Sequence, residues 1–187
     1  MAGVPLYLNM INSYEDVLKS VDDFGRMAGK EKEAAAKRAQ IEKDYAELTQ
    51  DVQKGKGPKV LVIFGSPDSF NMSTKLSFSG DLVKRLGGVN IADKAENVKD
   101  SSFIPLSMEF VAKENPDVVL LITMGGSKEI LEKLRSNMRD NAIWHDVNAV
   151  KNNRVYQLPP SLFTVNPGTY TIDAMKIMKE YMYGDVK

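Results

Sequence analysis

The fold of this 187-residue chain is decided by residues 57–90, GPKVLVIFGSPDSFNMSTKLSFSGDLVKRLGGVN. The apolar run at residues 60–64 is short and rich in β-branched side chains, which predicts a buried strand. Residues 65–68, GSPD, favour a sharp turn, and a polar loop follows them. A helix is predicted over residues 80–86, because the two glycines after it can adopt the left-handed conformation of a helix end. A buried strand, a long loop and a capped helix are typical of an α/β layer that holds a ligand.

Strands and helices alternate in the rest of the chain beyond residue 90. Residues 117–123, DVVLLIT, are apolar throughout, which predicts a second strand that is covered on both faces. A third strand is predicted at residues 154–158. Helices are predicted from Ser127 onward and over residues 169–182, where apolar side chains recur at helical spacing. This alternation predicts an α/β fold with a mostly parallel sheet flanked by helices.

The N-terminal part of the chain ends at a linker-like break over residues 54–58. A short apolar segment at residues 4–8 is compatible with a strand, and a first helix is predicted from Ser13 to a break at Gly29. Residues 30–53 are dense in Ala, Glu and Lys, which predicts a second helix about 36 Å long. This long helix is equally compatible with a spine that contacts a partner and with a solvated helix on its own domain.

The composition argues against several classes of protein. Lys and Arg together number 25, and Asp and Glu also number 25, so the formal net charge is zero. A nucleic-acid-binding protein would need a basic surplus, and we therefore expect no nucleic-acid partner. The chain has no cysteine, which excludes disulfides, a thiolate nucleophile and a zinc-finger site. No apolar run approaches the length of about 20 residues that a membrane-spanning helix needs.

Three of the predicted loops meet at the carboxyl edge of the sheet, where open α/β sheets bind their ligands. These loops are residues 65–79, 124–127 and 159–168, and loops usually exclude large apolar side chains. The three loops nevertheless contain Phe70, Met72, Phe78, Met124 and Phe163. Together these side chains predict a flat apolar ligand with a polar fringe, although each one alone is also compatible with an anchor in the core.

Motifs of catalysis are not apparent in the sequence. There is no GxGxxG dinucleotide motif, no P-loop and no GxSxG nucleophile motif. His145 is the single histidine, which argues against a catalytic metal site, and Asp68 is the one candidate acid or base near the strand ends. We therefore predict that the protein is not an enzyme. A small α/β enzyme without a recognisable motif is the alternative from another class, and a purely structural fragment is the third.

Four segments, in their order and spacing, resemble one known family. They are PKVLVIFGSP, SFSGDLVKRLGGVNIAD, SMEFVAKENPDVVLLI and AVKNNRVYQLP. The chain resembles the C-terminal lobe of the substrate-binding proteins of ABC importers for iron complexes, which capture haem, siderophores or cobalamin. It is most similar to the haem-binding surface lipoproteins of Gram-positive bacteria. The resemblance implies a Rossmann-like lobe for residues 57–187, and for residues 1–56 the end of a first lobe with the helices that join the lobes.

The resemblance also implies partners and a location. Such proteins deliver an iron complex to a membrane permease at the extracellular face of the cytoplasmic membrane, where a lipid anchor holds the full-length protein. This sequence does not contain the first lobe, the signal peptide or the lipid-modified cysteine of the family. We therefore expect a truncated chain with one side of a binding cleft. We also expect it to self-associate by exchange of its N-terminal helices, because uncovered apolar patches favour association.

Two residues acquire a role from the resemblance. Glu109 matches the acidic residue by which this lobe docks on arginines of the permease, where a charge at the rim sets the orientation. Met124 lies where haem-binding relatives have an axial histidine, and a methionine thioether is also a competent ligand of haem iron. Loop position alone adds four predicted apolar walls and two hydroxyl groups for the polar edges of the ligand: Phe70, Met72, Phe78, Phe163, Ser66 and Ser69.

Haem is the favoured ligand of this predicted site. A ferric siderophore is the nearest alternative, and its anionic chelating groups would normally require Arg, Tyr or Trp on the rim. The three rim loops contain no arginine, which favours haem.

Overall fold

A computed structural model describes residues 3, 6–96, 98 and 100–184 of the chain. The strands of this part are β1 (Lys59–Gly65), β2 (Phe70–Ser73), β3 (Val89–Asn90), β4 (Phe103–Pro105), β5 (Val118–Thr123) and β6 (Val155–Gln157). They form one sheet in the order β4-β2-β1-β5-β6, and β3 pairs with the first two residues of β1.

Helices cover both faces of this sheet. The α-helices of the described residues are α1 (Tyr14–Met27), α2 (Glu31–Thr49), α3 (Phe78–Arg85), α4 (Met108–Glu114), α5 (Lys128–Asp140), α6 (Ala142–His145), α7 (Asn148–Lys151), α8 (Pro160–Phe163) and α9 (Thr171–Tyr183). Short 3-10 helices lie at Ile91–Lys94, Met124–Gly126 and Gly168–Tyr170. Among the helices described here, none combines the length and the apolar character that a bilayer crossing requires.

The centre of the sheet is parallel, as the sequence predicts. β1 pairs in parallel with β3 and β5, and β5 pairs in parallel with β6. Every residue of β5 is buried, which agrees with the prediction of a strand covered on both faces. The predicted α/β fold with helices flanking a mostly parallel sheet is confirmed.

The polar loop predicted after β1 contains a strand instead. β2 pairs antiparallel with the last three residues of β1, and β4 pairs antiparallel with β2. Ser66 and Ser69 close the turn between β1 and β2: the Ser69 amide donates to the Ser66 Oγ at 3.1 Å, and the Ser66 amide donates to the Ser69 carbonyl at 2.9 Å. The prediction of an irregular segment is wrong here, because four residues are too few to reveal a strand by alternation.

The core has one layer on each side of the sheet. On the first side, which we call the α9 face, alternate residues of β1 and β5 such as Val62 and Leu120 pack against α3 and α9. On the second side, which we call the α5 face, the intervening residues such as Ile63 and Leu121 pack against α5 and against Trp144 of α6. Side chains alternate along each strand, so one apolar run supplies both layers.

The N-terminal helices belong to the core of the α9 face. Leu18 of α1 and Ile41 of α2 are buried in the same cluster as the strand residues. At the start of α1, the Tyr14 amide donates to Asp81 Oδ2 at 2.9 Å, and Arg85 of α3 binds both Asp81, at 2.7 Å, and Glu15. The two helices are therefore held on α3 by side-chain burial and by charged hydrogen bonds.

Several predicted details of this N-terminal part differ from the structure. The second helix ends at Thr49, so it is about 28 Å long. Phe24 and Met27 recur at helical spacing with Val17, which predicts one buried stripe on the first helix, but both are exposed. Of the strand predicted at residues 4–8, residues 6–8 are irregular, and Val4 and Pro5 lie outside the described residues.

Candidate functional site

Two of the three predicted rim loops contact each other at the carboxyl edge of the sheet. β5 ends at Thr123, and its carbonyl oxygen accepts a hydrogen bond from Thr164 Oγ1 at 3.1 Å. Gly126, in the turn after β5, lies so close to Pro160 of α8 that a Cβ on the glycine would be 2.9 Å from the proline ring. The end of β5 and the segment after β6 are therefore packed together.

Met124 is the first residue beyond β5 and points away from the core. Gly125 and Gly126 both have positive φ angles, 61° and 70°, which reverse the chain directly after Met124. The Met124 side chain is 47% exposed, whereas Met175 and Met178 of α9 are fully buried. The Met124 thioether is therefore accessible to a ligand at the rim.

A pocket of about 130 Å³ lies at the same edge, on the α9 face. Phe64, Phe78, Phe103 and Phe163 line it, which are four of the seven phenylalanines of the chain. The Phe64 and Phe103 rings are in contact, with centroids 5.3 Å apart. The other lining residues have aliphatic, hydroxyl or amide side chains, so the described lining contains no charged residue. Such a surface favours the apolar part of a ligand.

The predicted wall residues do not lie together. Phe78 and Phe163 line the pocket, and Phe163 also reaches into the core of the α9 face. Met72 is only 2% exposed and packs in the core of the α5 face, because β2 directs its side chain to the side opposite the pocket. The prediction of Met72 as a wall is therefore corrected. Phe70 is half-buried against the same α5 face.

The hydroxyl groups of Ser66 and Ser69 are already engaged in the turn between β1 and β2. The two Oγ atoms are 3.1 Å apart, and Asn71 Nδ2 donates to Ser69 Oγ at 2.9 Å. Gly65 lets this turn pack closely, since a Cβ there would meet Ile130 at 2.8 Å. The serines shape the turn, and their hydroxyl groups have only part of their hydrogen-bonding capacity left for a ligand.

Sequence reasoning missed Phe64 and Phe103 as pocket residues. The apolar run places Phe64 in the buried strand, and its position as the last large residue before Gly65 is the signal in the sequence that it lies at the strand end. Phe103 lies in β4, a three-residue strand without a visible pattern. Its role depends on β4 pairing with β2, which brings Phe103 beside Phe64.

Glu109 lies in the first turn of α4, near the carboxyl edge. The segment before α4 is held there because the Leu106 amide donates to the Phe70 carbonyl at 3.1 Å. The far end of α4 lies near the opposite edge, where Lys59 Nζ donates to the Glu114 carbonyl at 2.9 Å. Glu109 is exposed, so it is available to a partner that approaches the rim.

The described residues show little of the chemistry that an enzyme or a metal centre would need. They contain no group of three or more His, Cys, Asp or Glu side chains that could hold a metal ion. Burial raises the pKa of Asp93, but this carboxylate accepts the Lys75 amide at 2.7 Å and does not line the aromatic pocket. Asp68, the predicted candidate acid or base, is exposed in the turn after β1.

Comparison with known proteins shows the family. The sequence profile of a periplasmic binding protein family matches residues 6–162. The chain belongs to this periplasmic binding protein family. A curated relative, the high-affinity heme uptake system protein IsdE of Staphylococcus aureus strain MRSA252, is 30% identical over 182 residues, which cover 97% of this chain and 61% of that protein. The chain thus spans about three fifths of the length of this relative.

Solved structures of similar proteins have the same fold. The crystal structure of S. aureus IsdE complexed with heme matches with a TM-score of 0.84 and 28% identity, over 95% of this chain and 67% of that one. An ABC transporter substrate-binding protein from Listeria monocytogenes EGD-e matches with a TM-score of 0.83 and 27% identity, over 96% of this chain and 68% of that one. The predicted resemblance is confirmed, and these relatives are named as uptake and binding proteins rather than enzymes.

Proposed function

We propose that this chain is the iron-complex-binding part of an ABC importer's substrate-binding protein and that its favoured ligand is haem. Its family membership supports this function, as do the relatives that are named for heme uptake and for heme binding. The chain then acts by binding and release, without catalysis.

The observation that carries the proposal is the accessible Met124 thioether at the same edge of the sheet as an uncharged aromatic pocket, whose lining includes Ile122 two residues before it. A porphyrin is a flat apolar ring with an iron that accepts axial ligands from above and below, and methionine sulfur is one such ligand. Phe78 and Phe163, together with Phe64 and Phe103, would contact the ring. Phe70, Ser66 and Ser69 would contribute at the turn after β1.

A haemin titration followed by visible absorption tests this function. We expect a saturable shift of the Soret band, which Met124→Ala abolishes or displaces, because the iron loses its sulfur ligand. Met124→His should restore binding with a different Soret position, since imidazole is also an axial ligand. Met27→Ala is the matched control, because Met27 is likewise exposed, at 55%, but lies on α1.

The titration tests the role of Met124 separately from the identity of the ligand. Identical spectra for Met124→Ala and the unmodified chain would contradict the role of Met124 as iron ligand. A chain that binds no haemin would contradict haem as the ligand and would favour the ferric siderophore alternative.

The proposal extends to the organisation and partners of the protein. Residues 57–187 would form the ligand-binding lobe, and residues 1–56 would link it to a further lobe. Glu109 would dock on an arginine of the permease, because a rim charge sets orientation and encounter rate. The protein would work at the extracellular face of the cytoplasmic membrane, held there by a lipid anchor of the full-length form.

Self-association of this chain is a further part of the proposal. Leu6, Leu8 and Met10 are exposed beside α1, and a groove of about 480 Å³ lies between α1 and α2 with Phe24 in its lining. Apolar surface of this kind favours association between copies, for example by exchange of N-terminal helices. Sedimentation equilibrium tests this expectation, and a strictly monomeric chain at 100 μM, roughly the upper working range, would contradict it.

A further inference from the structure

The two sides of the carboxyl edge differ in charge. On the α9 face, the described lining of the aromatic pocket has no charged residue. On the α5 face, Lys128 is the first residue of α5 and is separated from the Met124–Gly126 turn by Ser127 alone, and Lys133 lies further along the same helix. Both lysines are exposed. A ligand at Met124 would therefore have an uncharged surface on one side and, on the other, a charged surface that carries these two lysines together with the exposed carboxylates of Asp68 and Glu129.

Lys133 is held at the rim by contacts that leave donors available. Its Nζ donates to the Pro67 carbonyl at 3.2 Å, in the turn between β1 and β2. The same Nζ lies 6.0 Å from the centroid of the Phe70 ring, a favourable cation–π distance. An ammonium group has three donors, and a carbonyl uses one of them. The Lys133 ammonium is thus directed to the carboxyl edge with capacity to bind an anion.

Haem also has an uncharged part and a charged part, which match the two sides of the rim. Its ring is apolar over most of its area, and its two carboxylates lie together on one edge. Carboxylates are most stable where they remain hydrated or meet a cation, and the ring is most stable where it leaves water. Each part of the ligand therefore has a preferred side of the rim.

We infer that Lys133 forms a carboxylate-binding subsite, with Lys128 adding positive charge at the first residue of α5, so that haem lies with its uncharged edge over the aromatic pocket and its carboxylates toward α5. This inference rests on the proposed function, and it adds the orientation of the ligand and the residues that select an anionic edge. Asp68, in the turn next to Pro67, and Glu129 of α5 are acidic neighbours that oppose the two lysines. Removing a lysine charge should therefore weaken haem binding, whereas removing one of these acidic charges should strengthen it.

Haemin and haemin dimethyl ester, in which both carboxylates are esterified, test the inference in parallel titrations. The unmodified chain should bind haemin about fivefold more tightly than the ester, the size expected of exposed charge pairs. The double variant Lys128→Gln/Lys133→Gln should remove this preference, because only the affinity for haemin falls. Lys133→Arg keeps the positive charge and should retain the preference. Asp68→Asn should raise the affinity for haemin and leave the affinity for the ester unchanged.

Lys113→Gln is the matched control, because it removes the same charge from the far end of α4, beside Glu114 at the opposite edge of the sheet. It should leave both affinities unchanged. Equal affinity of the unmodified chain for haemin and the ester would overturn the carboxylate subsite while leaving haem binding intact. Failure to bind either compound would instead contradict the proposed function.

Discussion

Leu120 and Met124 are four residues apart on one segment and have opposite environments. Leu120 lies in the middle of β5, is fully inaccessible and packs on the α9 face. Met124 lies just beyond the end of β5 and is exposed at the rim. The difference teaches that stability and ligand contact are separated along the strand. The interior of the sheet excludes water, and its carboxyl edge presents apolar groups for which the chain itself offers little cover.

The largest expected effect is on stability and separates these two positions. Leu120→Ala should lower the free energy of unfolding by about 2–5 kcal/mol, because it leaves a cavity in the core. Met124→Ala should change it by less than about 0.5 kcal/mol, as is usual for exposed side chains. Urea unfolding followed by circular dichroism measures both. A loss of more than about 1 kcal/mol for Met124→Ala would mean that Met124 serves packing.

The next effect concerns the aromatic pocket at the rim. Phe103→Ser should weaken haemin binding several-fold, because it removes the partner of Phe64 from the uncharged surface, and an aromatic pair contributes about 0.5–1.5 kcal/mol. Phe103 is 44% exposed, so the stability should fall by less than for Leu120→Ala. Ile143→Ser is the control, since Ile143 is 39% exposed on α6, away from the pocket. Equal loss of haemin affinity in both variants would exclude a specific role of Phe103.

A smaller effect on the free energy of unfolding should appear at acidic pH. It should depend on a carboxylate of α1 and not on the sheet. Hydrogen bonds from Lys19, Tyr7 and Arg26 hold the pKa of Asp23 well below its ordinary value of 3.8. A lowered pKa in the folded state stabilises the fold above the ordinary pKa, and this contribution is lost as the pH falls below 3.8 toward the folded value. Asp23→Asn should therefore reduce the loss of stability on acidification.

The variant Leu120→Ala provides the contrast for the acid effect. It should keep the pH dependence of the unmodified chain, because no titrating group is changed. Denaturant unfolding at several pH values between 2.5 and 6, roughly the range around the carboxylate pKa values, compares the three proteins. The same pH slope for Asp23→Asn and the unmodified chain would show that the Asp23 cluster does not contribute.

The smallest effect on the lobe itself is expected for Glu109. Glu109→Gln should leave both unfolding and haemin titration unchanged, since its side chain is exposed and lies outside the aromatic pocket. It should weaken binding to the cognate permease in reconstituted membranes, because a docking charge is removed. Glu47→Gln on α2 is the control, and equal permease binding by both variants would argue against docking through Glu109.

The secondary structure could be predicted where the determining residues are close in sequence. The strands at β1 and β5 follow from uninterrupted apolar runs, and the helices predicted from Ser13 and Ser127 do begin there, where each serine side chain accepts an amide hydrogen bond as the N-cap. β2 and β4 could not be predicted. Each is too short to show a pattern, and β2 exists because the edge of β1 beyond β3 offers it hydrogen-bonding partners.

The site could be predicted only at the level of loops. The topology implied that the segments after β1, β5 and β6 lie on one edge, and Phe78, Phe163 and Met124 are indeed near it. The direction in which each side chain points could not be predicted from the sequence. Met72 was expected at the rim and is buried, because a two-residue period in β2 turns it to the α5 face.

By itself, the sequence determined the parallel centre of the sheet, the starts of α1 and α5 and the resemblance to the family, because apolar runs, caps and short motifs act over a few neighbouring residues. Only the tertiary structure decided which side chains form the rim. Phe64 and Phe103 are 39 positions apart and meet because two antiparallel pairings, β1 with β2 and β2 with β4, bring them onto one face. Such pairings depend on backbone hydrogen bonds between distant segments, which no local pattern of residues reveals.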